Sequence, residues 1–453
     1  MANVIKLRKG LDINLKGKAP LEIAQVQEPG RYSLVPDDFT GITPKVVVKP
    51  EERVKAGDPL FVDKNHPELK FVSPVSGKVV EVERGQRRKV LNIIVEADDL
   101  TDYKTFEKKN PMEMDGQAVR DLLLESGLFA FVRQRPYDVI ADPTQTPKAI
   151  FVSAFDSAPL APDFEFVLRG QEADFQAGLD ALARITKTYL SISTKQKSKA
   201  LTAAKNVIVT AFDGPHPAGN VGVQINHIDP INKGEVVWTI GPEAVIFIGR
   251  LLHTGHVDLT RTVAVTGNEV NYPSYVKLKV GAQLTHVLKG QVSGDKDLRY
   301  ISGNVLTGKQ VTEDGYLGAF HSQITVIPEG DETHEFLGWI LPRPNDFSTS
   351  RSYLSWLFKL IIPKREYALD ARVKGGERHM IMSGEYDRVL PMDIYPEYLL
   401  KAIIAGDIDK MEALGIYEVA PEDFALCEFV CSSKVELQRV VRTGLDMLRA
   451  EMA

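Results

Sequence analysis

The chain has 453 residues, 43% of them hydrophobic and 26% charged, so it is an ordinary globular protein too long for one core, and its length predicts about three or four domains. Its net charge of −6, without a long Lys/Arg block, argues against a nucleic-acid surface. Two cysteines rule out a disulfide framework and fit a reducing, cytoplasmic setting, while MANVIKLRKGLDINLKG lacks a signal-peptide core and no run approaches the roughly 18 apolar residues of a membrane span.

Residues 1–105 read as β. Val46–Val48, Pro59–Val62, Phe71–Val72, Lys78–Val82 and Leu91–Val95 are short β-branched runs separated by turns such as Ala56-Gly57-Asp58 and Ser76-Gly77. The order VKAGDPL then SPVSGKV resembles the lipoyl and biotinyl carrier fold, a barrel-sandwich hybrid. Lys64 stands where the carrier lysine would be, but its surroundings, DKNHPEL, match neither modification motif, so it reads as a solvated turn residue. From Asp115 the pattern changes. A helix carrying Val119, Leu122, Leu123 and Leu124 stops at Ser126-Gly127. Strands at Ala149–Val152, Thr188–Ile192, Val207–Ala211 and Val236–Ile240 alternate with helices at Ala173–Ile185 and Pro242–His253, which predicts a parallel, Rossmann-like sheet. No GxGxxG opens any of these helices. Residues 258–330 return to β, with runs at Arg261–Val265, Val276–Lys279, Tyr300–Ser302 and Gln323–Val326, and helical spacing fills the chain from Leu399.

The stretch Phe212–Pro230, FDGPHPAGNVGVQINHIDP, crowds three prolines, three glycines and two histidines behind a predicted strand. Such a loop is shaped rather than merely connecting, and it sits where open α/β sheets place their binding crevice. A long surface turn is the competing reading.

The segments LRKGLDI, AIFVSAFDSAPLAP, FDGPHPAGNVG, RYISGNVLTG, YLGAFHSQITVI and CEFVCSSKVE, with the barrel ERVKAGDPLF…SPVSGKVVEVERGQRR, occur in an order that resembles the A-subunit family of the sodium-translocating NADH:quinone reductases over nearly the whole chain. More distantly the chain is similar to the C subunit of the Rnf complex and the flavin-binding subunit of respiratory complex I. The resemblance implies a multidomain α/β protein: a barrel-sandwich hybrid (1–105), a Rossmann-like α/β domain (106–257), a β-grasp-like domain with a docking segment (258–375) and a helical C-terminal domain (376–453). It further implies a peripheral subunit on the cytoplasmic face of the inner membrane, associated with the quinone-reduction end of a six-subunit redox pump. Its partners would be the other subunits, especially a membrane-embedded one, with quinone as an exchangeable ligand.

Departures from the flavin-binding relatives bear on cofactors. Glu125-Ser126-Gly127-Leu128 is kept, but FAFVRQRP follows where those relatives have a glycine-rich phosphate loop. Bound flavin mononucleotide is therefore not expected, and Arg133 and Arg135 read as anion ligands, partner contacts or surface charges. Cys427 and Cys431 fill the last two ligand positions of a C-x2-C-x2-C-x3-C-P cluster run, while Pro421, Phe424 and Ser432 stand at the others. Two thiolates close neither an iron–sulfur cluster nor a zinc tetrahedron, so flavins and iron–sulfur are expected in partner subunits.

A quinone needs an apolar slot and a few donors to its carbonyl oxygens. His216 with Asp213 is the first candidate pair, within a site of Asp213, Gly214, His216, Pro217, Gly219 and His227; Tyr272 and His321 are further candidates, and a merely structural His216 is the alternative. The run SYLSWLFKLIIPKR, with Trp356, Leu357 and Phe358, is too short to span a bilayer and reads as a partner- or membrane-docking segment or as a core element. A pure scaffold and an independent flavin- or nucleotide-binding oxidoreductase remain the competing functions.

Overall fold

Among the described residues of the computed structural model, 3–293, 297–330, 337, 340–349, 353–357, 362 and 365–452, four sheets organise the chain. The largest has seven strands in the order Asn3–Lys6, Ile208–Asp213, Thr188–Ser193, Ile150–Ser153, Val237–Ile240, Val132–Arg135, Val139–Ile140. The first five run parallel. Val237–Ile240 is buried along its length, as a strand covered on both faces requires. One cover is the helix pair Glu172–Ile185 and Pro242–Thr254, the latter begun by proline at its first turn and ended by the left-handed Gly255.

Three features of this sheet depart from the sequence reading. It is not wholly parallel: Val132–Arg135 pairs antiparallel with Val237–Ile240, and Val139–Ile140 folds back on it. The turn between them takes left-handed Tyr137 and Asp138, residues that do not announce such a turn as glycine would. The strand Asn3–Lys6 joins the α/β sheet at its far edge rather than the N-terminal β unit. The stretch from Phe212 to Pro230 is only half loop, because Val221–Ile228 forms a helix.

The N-terminal β unit has a four-stranded sheet (Arg31–Leu34, Val90–Ala97, Gly77–Arg84, Arg53–Val54) and a three-stranded one (Pro44–Val46, Pro59–Asp63, Lys70–Val72). Leu34, Val54, Leu60, Phe71, Val79 and Val95 join one core from both sheets, and Lys64 is exposed in the turn before Lys70. A five-stranded sheet follows, in the order Ser274–Lys279, Thr260–Thr266, Gln323–Pro328, Leu298–Ser302, Lys309–Val311, with its Thr260–Thr266 and Gln323–Pro328 strands parallel. These units and the α/β sheet share one continuous apolar core.

A second core gathers the C-terminal helices Pro396–Ala405, Ile408–Ala413, Ala425–Val430 and Leu437–Glu451. Leu7, Ile13 and Leu15, from the arm after the first strand, are part of it. Cys427 and Cys431 are fully buried there; Cys431 caps the short helix and sits 2.9 Å from the Tyr386 hydroxyl. Burial pushes the Cys427 thiol well above its usual range, so it packs as a small apolar group.

Candidate functional site

At the C-terminal ends of the parallel strands a cleft of about 490 Å³ opens between the α/β sheet, the five-stranded sheet and the C-terminal helices. Ser153 and Ile240 end strands at its floor, and Phe131, Phe155, Phe164, Val167, Leu306 and Phe320 supply apolar walls. This is the crevice position expected of an open α/β sheet, and its size is that of an ordinary small-molecule pocket.

His216 lines the cleft with only 4% of its surface exposed. Its backbone N–H donates to Asp12 Oδ1 at 2.9 Å, and its Nδ1 lies 3.0 Å from Ser157 Oγ. Burial lowers the imidazole pKa to about 4, against a smaller opposing pull from Asp12, so the ring is neutral near neutral pH. The carboxylate beside this histidine is thus Asp12, which sequence reasoning missed; Asp213 is exposed at the strand end and accepts from Thr194 Oγ1. Strand geometry explains it, because Asp213 pairs with Lys6 at the sheet edge while the chain turns inward only afterwards.

The other candidates divide. Gly219 lines the cleft, where a Cβ would meet the Ser157 backbone N at 2.6 Å. Gly214 packs on Leu7 and Pro217 is buried, so both shape the loop without lining the cleft. His227 is exposed on the helix Val221–Ile228, its Nδ1 2.9 Å from the Val223 carbonyl oxygen, and Tyr272 is 73% exposed; neither lines the cleft. His321, the weaker candidate, does line it, with Nδ1 2.9 Å from Ser302 Oγ and a pKa lowered by burial to about 4.

Arg133 and Arg135 also part company. Arg133 lines the cleft, donates to Asp138 Oδ2 at 3.1 Å and stacks 5.4 Å from the Phe320 ring. Arg135 is 1% exposed and cannot meet a partner surface, which corrects the docking assignment for this residue. It donates to Asp423 Oδ2 at 2.7 Å, Glu422 Oε1 at 2.8 Å and the Glu418 carbonyl oxygen at 3.0 Å, tying the α/β sheet to the C-terminal helices. Glu422 reaches the cleft edge; enclosure by protein raises its pKa despite Arg135, with Asp423 and Asp138 adding to the rise.

The residues after Gly127 do not fit a flavin phosphate. Leu128–Phe131 forms a tight turn whose four side chains are buried, with Phe129 edge-on to Trp238 at 5.3 Å, where a phosphate cradle would need open backbone N–H groups. The two guanidiniums of the cleft lining, Arg133 and Arg442, are each bonded to a carboxylate, Asp138 and Asp446. Asp156 and Glu243 face the same space. An anion finds little here; a neutral, partly aromatic ligand with hydrogen-bond acceptors fits.

Trp356 lines a second cavity of about 360 Å³ with Gly10, Phe347 and Arg388. Leu354, Leu357 and Ile362 nearby in sequence are exposed, whereas Ser355 is buried; Phe358 lies outside the described residues.

Comparison with known proteins agrees along the whole chain. Family models match as the NqrA N-terminal barrel-sandwich hybrid domain over residues 5–98, the NqrA second alpha/beta domain over 114–257 and the NQRA C-terminal domain over 262–313. The A-subunit of the Na(+)-translocating NADH-quinone reductase of Vibrio atlanticus is 35% identical over 451 residues, 99% of this chain and 100% of its own. Those of Yersinia pestis bv. Antiqua and Neisseria meningitidis serogroup A are each 36% identical over 453 residues, with the same coverage. The chain belongs to the NqrA family, the A-subunits of the Na(+)-translocating NADH-quinone reductases.

Proposed function

We propose that this chain is the peripheral quinone-associated subunit of a sodium-translocating NADH:quinone reductase, and that the cleft at His216 takes the quinone headgroup. Membership of the family carries the first half. Among the described residues no helix is long and apolar enough to cross a membrane, in keeping with a chain that sits against a membrane partner. The observation that carries the second half is a neutral histidine on the wall of an apolar cleft whose guanidiniums are already bonded. Such a site donates hydrogen bonds to a carbonyl oxygen without demanding charge from its ligand.

Flavins and iron–sulfur belong, in this reading, to the partner subunits, and the isolated chain is inactive. The filled turn at Leu128–Phe131 supports that division. Exposed Leu354, Leu357 and Ile362 beside Trp356 support docking of a membrane-embedded partner on the cytoplasmic face. The sheet order 274–279, 260–266, 323–328, 298–302, 309–311, with a parallel central pair, supports a β-grasp-like third domain.

Titrating the isolated chain with a soluble short-tail quinone tests the site, followed by tryptophan fluorescence. Saturable quenching in the native chain and its loss in His216→Ala is the expected result. Unchanged binding by His216→Ala overturns the site, and a folded chain that never saturates leaves a scaffold whose quinone site forms only with its membrane partner.

A further inference from the structure

We propose that His216 and His321 act together, as two N–H donors reaching the two carbonyl oxygens of one quinone ring, each oriented by its own serine. The inference rests on the quinone reading above and adds a second prong and two positioning residues to it. The two histidines sit in loops beside different sheets, 105 residues apart in sequence, yet their surroundings repeat. Ser157 Oγ accepts the Gly219 N–H at 2.8 Å and lies 3.0 Å from His216 Nδ1. Ser302 Oγ accepts the Gly318 N–H at 2.9 Å and lies 2.9 Å from His321 Nδ1.

In both places the amide N–H takes one of the hydroxyl's two acceptor positions. Among the described residues neither hydroxyl has another acceptor in reach, and the arrangement that gives each hydroxyl hydrogen a partner sends it to Nδ1 and leaves the ring proton on Nε2. Neither Nε2 has a protein partner among the described residues, and neither is among the sealed, unsatisfied polar atoms, so both stay open to the cleft their rings line. Glycine is needed at both amides. A Cβ on Gly219 would lie 2.9 Å from Ser157 Oγ, and one on Gly318 would lie 2.5 Å from His321 Nδ1. A built pair of neutral donors matches a ligand with two acceptor oxygens across an uncharged ring, and it matches a phosphate or a cation poorly.

The full chain labelled with 15N-histidine reads the tautomers directly by two-bond 1H–15N correlation. Both imidazoles are expected as Nε2–H between about pH 6 and 8, the range above their lowered pKa. An Nδ1–H ring at either position overturns the inference. Binding is then measured with a soluble short-tail 1,4-benzoquinone and with its analogue lacking one carbonyl. The native chain should prefer the quinone, and Ser302→Ala, which spares the ring but frees its tautomer, should weaken quinone binding about five- to tenfold while leaving the monocarbonyl analogue less affected. His321→Gln, whose amide keeps a donor, should retain more affinity than His321→Phe; if the Phe variant does not fold, Ser302→Ala carries the comparison. Quinone binding that survives Ser302→Ala and His321→Phe undiminished overturns the second prong and leaves the His216 site standing. Absence of quinone binding in the native chain overturns both.

Discussion

Arg135 shows at the scale of one residue how position outranks residue type. An arginine behind an aromatic stretch reads from sequence as an anion ligand or a surface contact, and its neighbour two residues earlier does face the cleft. Arg135 instead enters the interior, where Asp423 is wholly buried and Gly222 leaves the room: a Cβ there would lie 2.4 Å from both Arg135 Nη1 and Asp423 Oδ2. Asp423 lies 288 residues away in sequence, and Asp12 is 204 residues from His216, so neither partnership has a local signal. That His216 lies at the crevice was legible because glycine and proline crowd its loop and the loop follows a strand. The buried pair makes a prediction. Arg135→Ala strands a carboxylate in the interior and should cost about 3–5 kcal/mol, read from the urea midpoint, whereas replacing both partners by apolar residues of similar volume should restore much of the loss. A single variant as stable as the native chain would show that the pair does not join the two units.

Elements were more legible than their edges. The helices Glu172–Ile185 and Pro242–Thr254 follow from apolar spacing, and the ends of the second follow from Pro242 and Gly255. What spacing does not reveal is how closely they pack. A Cβ on Gly249 would lie 1.7 Å from the Asp174 carbonyl oxygen, and one on Gly178 2.1 Å from that of Val245, so the two backbones meet through reciprocal glycines. Backbone cannot move aside as a side-chain tip can. Gly249→Ala should therefore destabilise by about 1–3 kcal/mol or more although alanine favours a helix. The check is the unfolding midpoint of Gly249→Ala beside that of Ala183→Gly on the partly buried side of the first helix, where helix propensity alone predicts a loss of up to about 1 kcal/mol. A Gly249→Ala variant more stable than the native chain would mean that the helices separate freely. The strands Val132–Arg135 and Val139–Ile140 were missed for a related reason: four residues with mixed polarity carry no alternation long enough to register, and only pairing with Val237–Ile240 fixes them.

For the whole molecule, the order of the domains is written along the chain, but their joining is not. The N-terminal arm is the clearest case. Asn3–Lys6 is mostly exposed and reads as nothing in particular, yet it adds a parallel strand beside Ile208–Asp213, in register from Asn3 with Thr210 to Lys6 with Asp213. The chain then donates Leu7 N–H to the Asp213 carbonyl oxygen, passes Asp12 beneath the His216 amide, and buries Leu7, Ile13 and Leu15 among the C-terminal helices. A parallel partner 200 residues away leaves no local trace, since parallel pairing follows from the crossover rather than from a turn. One arm thus braces the sheet edge, the histidine loop and the second core together. Removing residues 3–15 should uncover Ile208–Asp213 and open a cavity in the second core, while the N-terminal β unit keeps its own core. Amide hydrogen exchange distinguishes the outcomes. Faster exchange confined to Ile208–Asp213, the His216 loop and the helices Pro396–Ala405 and Leu437–Glu451, with Val90–Ala97 unchanged, is expected; uniform acceleration would mean that the arm supports global folding instead, and no change would mean that it contributes nothing to either core.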